Sequence, residues 1–244
     1  MQANLGRRSF LGMAAGTLAA LTMERPGATW ANEPQAHGRE ARAALTADEA
    51  LQRLLEGNQR FQRDEHTLSH HTSKAWRESL VPAQHPIATL LSCCDSRVPP
   101  EIVFDQGVGD LFVMRVAGNI VDADMVGSLE YAFEHLNTPL FMVMGHERCG
   151  AVRASLAQRL EHTHDYAEIE ELLARLDPVF EGLDLSGPPD EVLARAIEAN
   201  VRHSMKLLGQ ANHVREALAE GKVKLVGAIY EMASGRVRLL EDRR

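Results

Sequence analysis

Between residues 85 and 160 the chain switches repeatedly between short apolar runs and segments of helical spacing. "HPIATLLS", "DLFVMRV" and "LFMVMGH" are short and apolar, and each reads as a buried strand. The segments between them have another character. "VPPEIVFD" reads as a short helix, because proline is tolerated in a first turn. "GSLEYAFEHLN" places Leu129, Ala132, Phe133 and Leu136 on one helical face, and "AVRASLAQRLEH" returns to helix after the third strand. Strands that alternate with helices are joined by crossovers, which makes neighbouring strands parallel. The expected fold class is therefore α/β, with a mainly parallel β-sheet core flanked by helices.

The flanking segments extend this pattern. "TADEALQRLLEGNQRF" opens with Thr46 and Glu49 at capping-box spacing, and Leu51, Leu54, Leu55, Asn58 and Phe61 recur at helical intervals. Residues 63–76 are polar and read as loop. "YAEIEELLARL" and "DEVLARAIEANVRHSMKLLG" are further helices, and "KVKLVGAIYEMASGRVRLL" reads as two strands turning at Ser234-Gly235. One domain is expected over 45–244, with a polar linker over 32–44.

Residues 1–31 are of a different kind. Arg7-Arg8 precedes an uncharged apolar run from Phe10 to Met23, shorter than the roughly 20 residues of a membrane span. "RRSFL" resembles the twin-arginine export motif, with Gly6 and Gly12 at its usual serine and lysine positions. Small residues at Thr29 and Ala31 offer a cleavage site after Ala31. The expectation is a cleaved signal, a periplasmic or otherwise exported protein, and no stable membrane insertion afterwards. An uncleaved N-terminal anchor is the alternative. A net charge of −8, 5% aromatics and no basic stripe argue against a nucleic-acid partner.

The chain has three cysteines, too few for a disulfide framework. Two stand together in "LLSCCDSRVPPE", behind the first expected strand, and the third follows the last of the three strands in "GHERCGAV". Open α/β sheets bind ligands beyond the carboxyl ends of their strands. Cys93, His146 and Cys149 are therefore expected to converge at one sheet edge. Two sulfurs and an imidazole suit Zn²⁺ and leave a fourth position for water or substrate. Each motif taken singly has a plainer reading. A cysteine at a strand end is usually a small buried hydrophobe. "DSRVPPE" can be a helix start capped by Asp95 or Ser96. Asp95 and Arg97 can be a surface pair worth under about 1 kcal/mol. Two competing functions also stay open: an enzyme with Cys93 or Cys149 as nucleophile, and a non-catalytic zinc-stabilised protein.

Together the motifs resemble the β-class carbonic anhydrases. "CCDSRVPPE" is similar to their Cys-x-Asp-Ser-Arg and "HERC" to their His-x-x-Cys. "NQRF", "GDLFVMRVAGNIV", "GSLEYAFEHL" and "VKLVGAIYEMASGRV" extend the resemblance over about residues 45–240. It implies reversible hydration of carbon dioxide to bicarbonate and a proton, one Zn²⁺ per subunit that generates the attacking hydroxide, and a homodimer or higher homo-oligomer. It implies Cys93, His146 and Cys149 as metal ligands and leaves Cys94 at the variable position. Asp95 is cast as hydrogen-bond acceptor for the activated water, or as a fourth ligand in a closed state, with Arg97 fixing its carboxylate.

Gly118 and Gly150 are candidates to line the pocket, because glycine permits close backbone approach. Gln106 is a candidate donor to substrate, although plant-type relatives carry the glutamine one position later, where this chain has Gly107. Relatives that hold bicarbonate with a tryptophan, an arginine and a tyrosine are matched here by Arg115 and Tyr230, with Leu90 at the tryptophan position. Surface histidines are as a rule solvated, so none of His66, His70, His71 and His85 is assigned as proton shuttle. Cys93→Ser should remove bound zinc and carbon dioxide hydration together, while Cys94→Ser leaves both near wild type. Metal analysis with stopped-flow hydration checks this, and equal losses from both variants would overturn the register.

Overall fold

The computed structural model describes residues 45–67 and 72–241. The expected signal and linker, as well as His70 and His71, lie outside the described residues. Five strands form one sheet: β1 (Ala88–Ser92), β2 (Leu111–Arg115), β3 (Leu140–His146), β4 (Lys224–Tyr230) and β5 (Val237–Leu239). Their order is β2-β1-β3-β4-β5, with β1 to β4 parallel and β5 antiparallel to β4. The sheet is mainly parallel, as the alternating pattern requires. The closing hairpin turns at Gly235, whose φ of 72° is the left-handed conformation that glycine accepts freely.

Helices fill the crossovers. α1 (Ala47–Gln62) and α2 (Lys74–Leu80) precede the sheet, α3 (Pro100–Val103) joins β1 to β2, and α4 (Ala123–Leu136) joins β2 to β3. α5 (Gly150–Glu161), α6 (Ala167–Ala174), α7 (Pro189–Gln210) and α8 (Asn212–Ala219) lead from β3 to β4. α1 begins with the full Thr46–Glu49 capping box. α3 begins at Pro99-Pro100 with no side-chain cap, so Asp95 and Ser96 are not its capping residues. The Asp95 carboxylate binds Arg97 instead.

Side chains alternate across the sheet. Leu91, Phe141, Val143 and Ile229 join one apolar cluster, which draws on α4, α5 and α7. Leu90, Met142, Met144 and Ala228 join another, with Ala50 and Leu54 of α1 and Val103 and Phe104 around α3. β1 and β3 are buried along their whole length, which explains their unbroken apolar runs. Each such leucine contributes about 1.5–3 kcal/mol by leaving water. α7 sits very close to β3: a Cβ on Gly145 would lie 2.5 Å from Cγ2 of Val201. That approach is open only to glycine.

Three helical stretches depart from the sequence expectation. Residues 74–80 are helical behind the Ser73 cap, although they bury no side chain and so show no apolar stripe. α8 buries only Val214 and Ala217, too little for a visible period. α4 starts at Ala123, because the Asp122 side chain accepts from the Met125 N–H and caps the helix ahead of its apolar face.

α1 is fastened to the sheet through Asn58. Its Nδ2 donates to the carbonyls of Val103 and Gly235, and its Oδ1 accepts from the Val237 N–H. Beside it, Gly57 meets the chain after α3 so closely that a Cβ would stand 1.8 Å from the Phe104 carbonyl oxygen. Gly57→Ala gains about 1 kcal/mol of helix propensity but forces two backbones apart, an overpacking cost of about 3 kcal/mol. Urea unfolding should therefore show net destabilisation, and a variant as stable as wild type would contradict this packing.

Candidate active site

Parallel pairing sets Ser92 of β1 beside Met144 of β3. Both strands therefore deliver the chain to the same edge. The strand order also reverses here, since the chain runs from β1 to β2 on one side and then to β3 on the other. Such a reversal opens a crevice beyond the strand ends. Cys93 is the first residue past β1, His146 is the last of β3, and Cys149 immediately precedes α5. Their ligand atoms all lie within 4.8 Å of one another, all three residues are buried, and the two sulfurs are 4.0 Å apart.

Each ligand is oriented by a named neighbour. The Gly118 N–H donates to Cys93 Sγ at 3.3 Å. Nδ1 of His146 lies 2.9 Å from the Glu147 carbonyl, which can only accept, so the ring proton belongs on Nδ1. Nε2 is then a bare lone pair, and it is buried without a hydrogen-bond partner. Leaving such a group unsatisfied costs about 1–3 kcal/mol. Cys149 stands at the amino end of the 12-residue α5, where free N–H groups favour negative charge.

The two thiols form one coupled pair. Cys149 donates a hydrogen bond to Cys93, and against the opposing effect of burial this lowers the Cys93 thiol to about 4. The backbone N–H groups of Asp95 and Gly118 assist. The same hydrogen bond and burial push the Cys149 thiol up. One proton leaves the pair readily and the second does not, because two buried charges would face each other at close range.

These residues fit a zinc ion. Two sulfurs at about 2.3 Å from a tetrahedral Zn²⁺ stand about 3.8 Å apart, close to the separation found. The cation would supply the charge that lets both thiols ionise and the partner that Nε2 lacks. The donor set of two thiolates and one imidazole suits a borderline-soft metal and leaves one tetrahedral position open.

Asp95 lies beside the three ligands, with Oδ2 3.9 Å from Nε2 of His146. Arg97 grips it with Nε on Oδ1 at 2.9 Å and Nη2 on Oδ2 at 2.7 Å, and the Arg97 backbone N–H adds a third bond to Oδ1. This guanidinium, working against partial burial, holds the Asp95 carboxyl well below the usual carboxylate range. Cys94 is exposed and lies outside the metal-ligating group, its backbone N–H paired with the Val116 carbonyl.

The remaining candidates sit in different places. Gly118 has its N–H on Cys93, its φ at 70°, and its would-be Cβ 3.2 Å from the Ala151 methyl group. Gly150 opens α5, and a Cβ there would meet nothing within 4 Å. Gln106 is buried in the bend after α3. Its Nε2 donates to the carbonyls of Phe104 and Asp105, and its Oε1 accepts from Arg53. Leu90 is buried in the sheet, and Tyr230 pairs in register with His146 at the strand ends.

Arg115 was read from the sequence only as a match to a bicarbonate-holding arginine, and the contribution of α7 was not read at all. Arg115, at the end of β2, donates Nε to the Cys93 carbonyl at 3.0 Å and Nη2 to the Asp95 carbonyl at 2.7 Å. It fixes the backbone on both sides of Cys94. From α7, Asn200 Nδ2 donates to the Gly118 carbonyl at 2.7 Å and Ser204 Oγ to the Asn119 carbonyl at 2.9 Å. The available signal was polarity on an apolar helix face: Ala196, Asn200, Ser204 and Leu208 recur at intervals of four and are all buried.

The site lies within a recognisable family pattern. A family model described as carbonic anhydrase matches residues 88–237. Carbonic anhydrase 2 of Mycobacterium tuberculosis is 37% identical over 199 residues, covering 78% of this chain and 91% of that protein. A carbonic anhydrase of Mycolicibacterium smegmatis is 38% identical over 167 residues, covering 67% and 79%. The crystal structure of a β-carbonic anhydrase of Aspergillus fumigatus is similar with a TM-score of 0.65 at 27% identity, covering 78% of this chain and 90% of that one. Tetrameric β-carbonic anhydrases of Sordaria macrospora give 0.63 at 26% identity, covering 78% and 96%.

Proposed function

This chain belongs to the β-class carbonic anhydrases, and from that premise we propose that Asp95, held by Arg97, orients the reacting water beside the metal. The enzyme is zinc-dependent and interconverts carbon dioxide with bicarbonate and a proton. The observation that carries this reading is the buried convergence of Cys93, His146 and Cys149 next to an ionised carboxylate.

Cys93, Cys149 and Nε2 of His146 would hold the zinc ion. When bound, Zn²⁺ supplies a Lewis acid that brings the ionisation of water near neutral pH. Two thiolates donate more charge than imidazoles would, so the neighbouring residues matter more here. An ionised carboxylate accepts hydrogen bonds and donates none. Water in contact with Asp95 must therefore direct a proton at it, which leaves an oxygen lone pair for the carbon of carbon dioxide. Arg97 keeps the carboxylate ionised, and its bidentate grip fixes the plane of the acceptor. Arg115 holds the backbone on which Asp95 stands.

The family reading favours a homo-oligomer: the Sordaria macrospora relatives are tetrameric. β2 is an edge strand, and Ile102 and Val108 are exposed. Arg7-Arg8 and the apolar run after it support export. No described helix is long and apolar enough to cross a membrane. Light scattering on the protein without residues 1–31 should give a multiple of the subunit mass, and Arg7→Lys with Arg8→Lys should retain the full-length protein inside cells that export the wild type. A monomer, or unchanged export, would remove the respective proposal.

Asp95→Asn keeps the shape but adds an N–H donor and removes the charge that Arg97 pairs with. Zinc content should stay at wild type, while kcat/KM for hydration falls about 100-fold. Stopped-flow hydration with metal analysis decides it. An Asn variant with full activity would exclude Asp95 from the reaction.

A further inference from the structure

We propose that Asn200 and Ser204 of α7 are positioning residues for the metal centre, acting through the turn at residues 117–119 to keep the Gly118 N–H on the Cys93 sulfur. The inference rests on the zinc reading above.

Within the turn the Asn119 N–H donates to the Val116 carbonyl at 3.0 Å, which leaves the Gly118 and Asn119 carbonyls to be held from outside. Gly118 has a φ of 70° and Asn119 a φ of 44°, so two successive residues lie in the left-handed region, the second carrying a side chain. Such a backbone persists only where its surroundings over-determine it. Here the surroundings are two side chains one helical turn apart. Asn200 takes the Gly118 carbonyl and Ser204 the Asn119 carbonyl, from 82 and 85 residues away in sequence. Asn200 is 2% exposed and Ser204 is 1% exposed, so neither bond competes with water. α7 itself is located by Val201, next to Asn200, which fills the space left by Gly145 one residue before His146. One helix thus registers both the strand that ends in a ligand and the turn that contacts another.

The chemical consequence falls on Cys93. An N–H donated to a ligand sulfur helps fix where that sulfur sits. It also draws charge away from the metal, so the sulfur donates less to zinc. Releasing the turn would let the Gly118 peptide relax and withdraw its N–H, and Cys93 would hold zinc from a less fixed position. The role is separate from ligation, since Asn200 and Ser204 donate to the Gly118 and Asn119 carbonyls and not to a ligand atom.

The test uses the zinc-loaded protein with Asn200→Ala, Ser204→Ala and Ser204→Thr. Asn58→Ala serves as a control that loses equally buried amide bonds on the far fastening of α1. Three quantities are read: the rate of zinc transfer to a chromophoric chelator, the thiolate-to-metal absorption of the Co²⁺-substituted protein, and the urea midpoint. Asn200→Ala and Ser204→Ala should speed zinc loss about 10-fold or more and shift the Co²⁺ band. Ser204→Thr should restore both toward wild type, and Asn58→Ala should lower the midpoint without moving either. Should Asn200→Ala fail to fold, the serine pair carries the comparison.

Wild-type zinc loss and an unshifted band in Ser204→Ala and Asn200→Ala would overturn this inference alone. So would zinc loss that follows the urea midpoint alike in all variants, the control included. A wild-type protein that takes up no zinc would overturn the zinc reading and this inference with it.

Discussion

Two cysteine sulfurs buried 4.0 Å apart can both ionise only around a cation. Much of the surrounding structure serves that requirement. The ends of β1 and β3 lie side by side because the strands pair in parallel. Cys93 has a backbone N–H on its sulfur, and Cys149 stands at the positive end of a helix. His146 gives its ring proton to the Glu147 carbonyl and presents the other nitrogen bare. Each arrangement favours negative charge or a lone pair at one point, and none of them neutralises it.

Charge balance separates the ligands from the carboxylate next to them. Zinc with two thiolates and a neutral imidazole carries no net charge. Asp95 with Arg97 is likewise a neutral pair. Asp95 as a further ligand would give up its pairing with Arg97. The bidentate clasp occupies both carboxylate oxygens of Asp95 beside the three ligand residues, with Oδ2 3.9 Å from Nε2 of His146. Arg115 makes the arrangement rigid by holding the backbone carbonyls of Cys93 and Asp95.

The parts of the fold that bury a regular apolar face were legible in the sequence. β1 and β3 are buried on both sides and appear as continuous apolar runs, and α1 announces itself through Thr46 and Glu49. α2 buries nothing and α8 only two residues, so no periodicity marked them. The ligand triad was legible because strand ends and a three-residue spacing are one-dimensional facts. Asn200, Ser204 and the backbone grip of Arg115 were not, because their work is done on carbonyls of distant residues. For Asp95 the local pattern left helix cap and partner of Arg97 both open, and the geometry decides for the pair with Arg97.

The central claim is a metal held by two sulfurs and one nitrogen, with Asp95 kept off it by Arg97. X-ray absorption at the zinc edge of the purified wild-type protein at neutral pH tests this most directly. The account predicts two sulfur neighbours near 2.3 Å and one imidazole nitrogen near 2.0 Å, each about the usual zinc distance, with a single light atom that Asp95→Asn leaves in place. A shell with one sulfur, or with three, or a light-atom neighbour lost in Asp95→Asn, would contradict it.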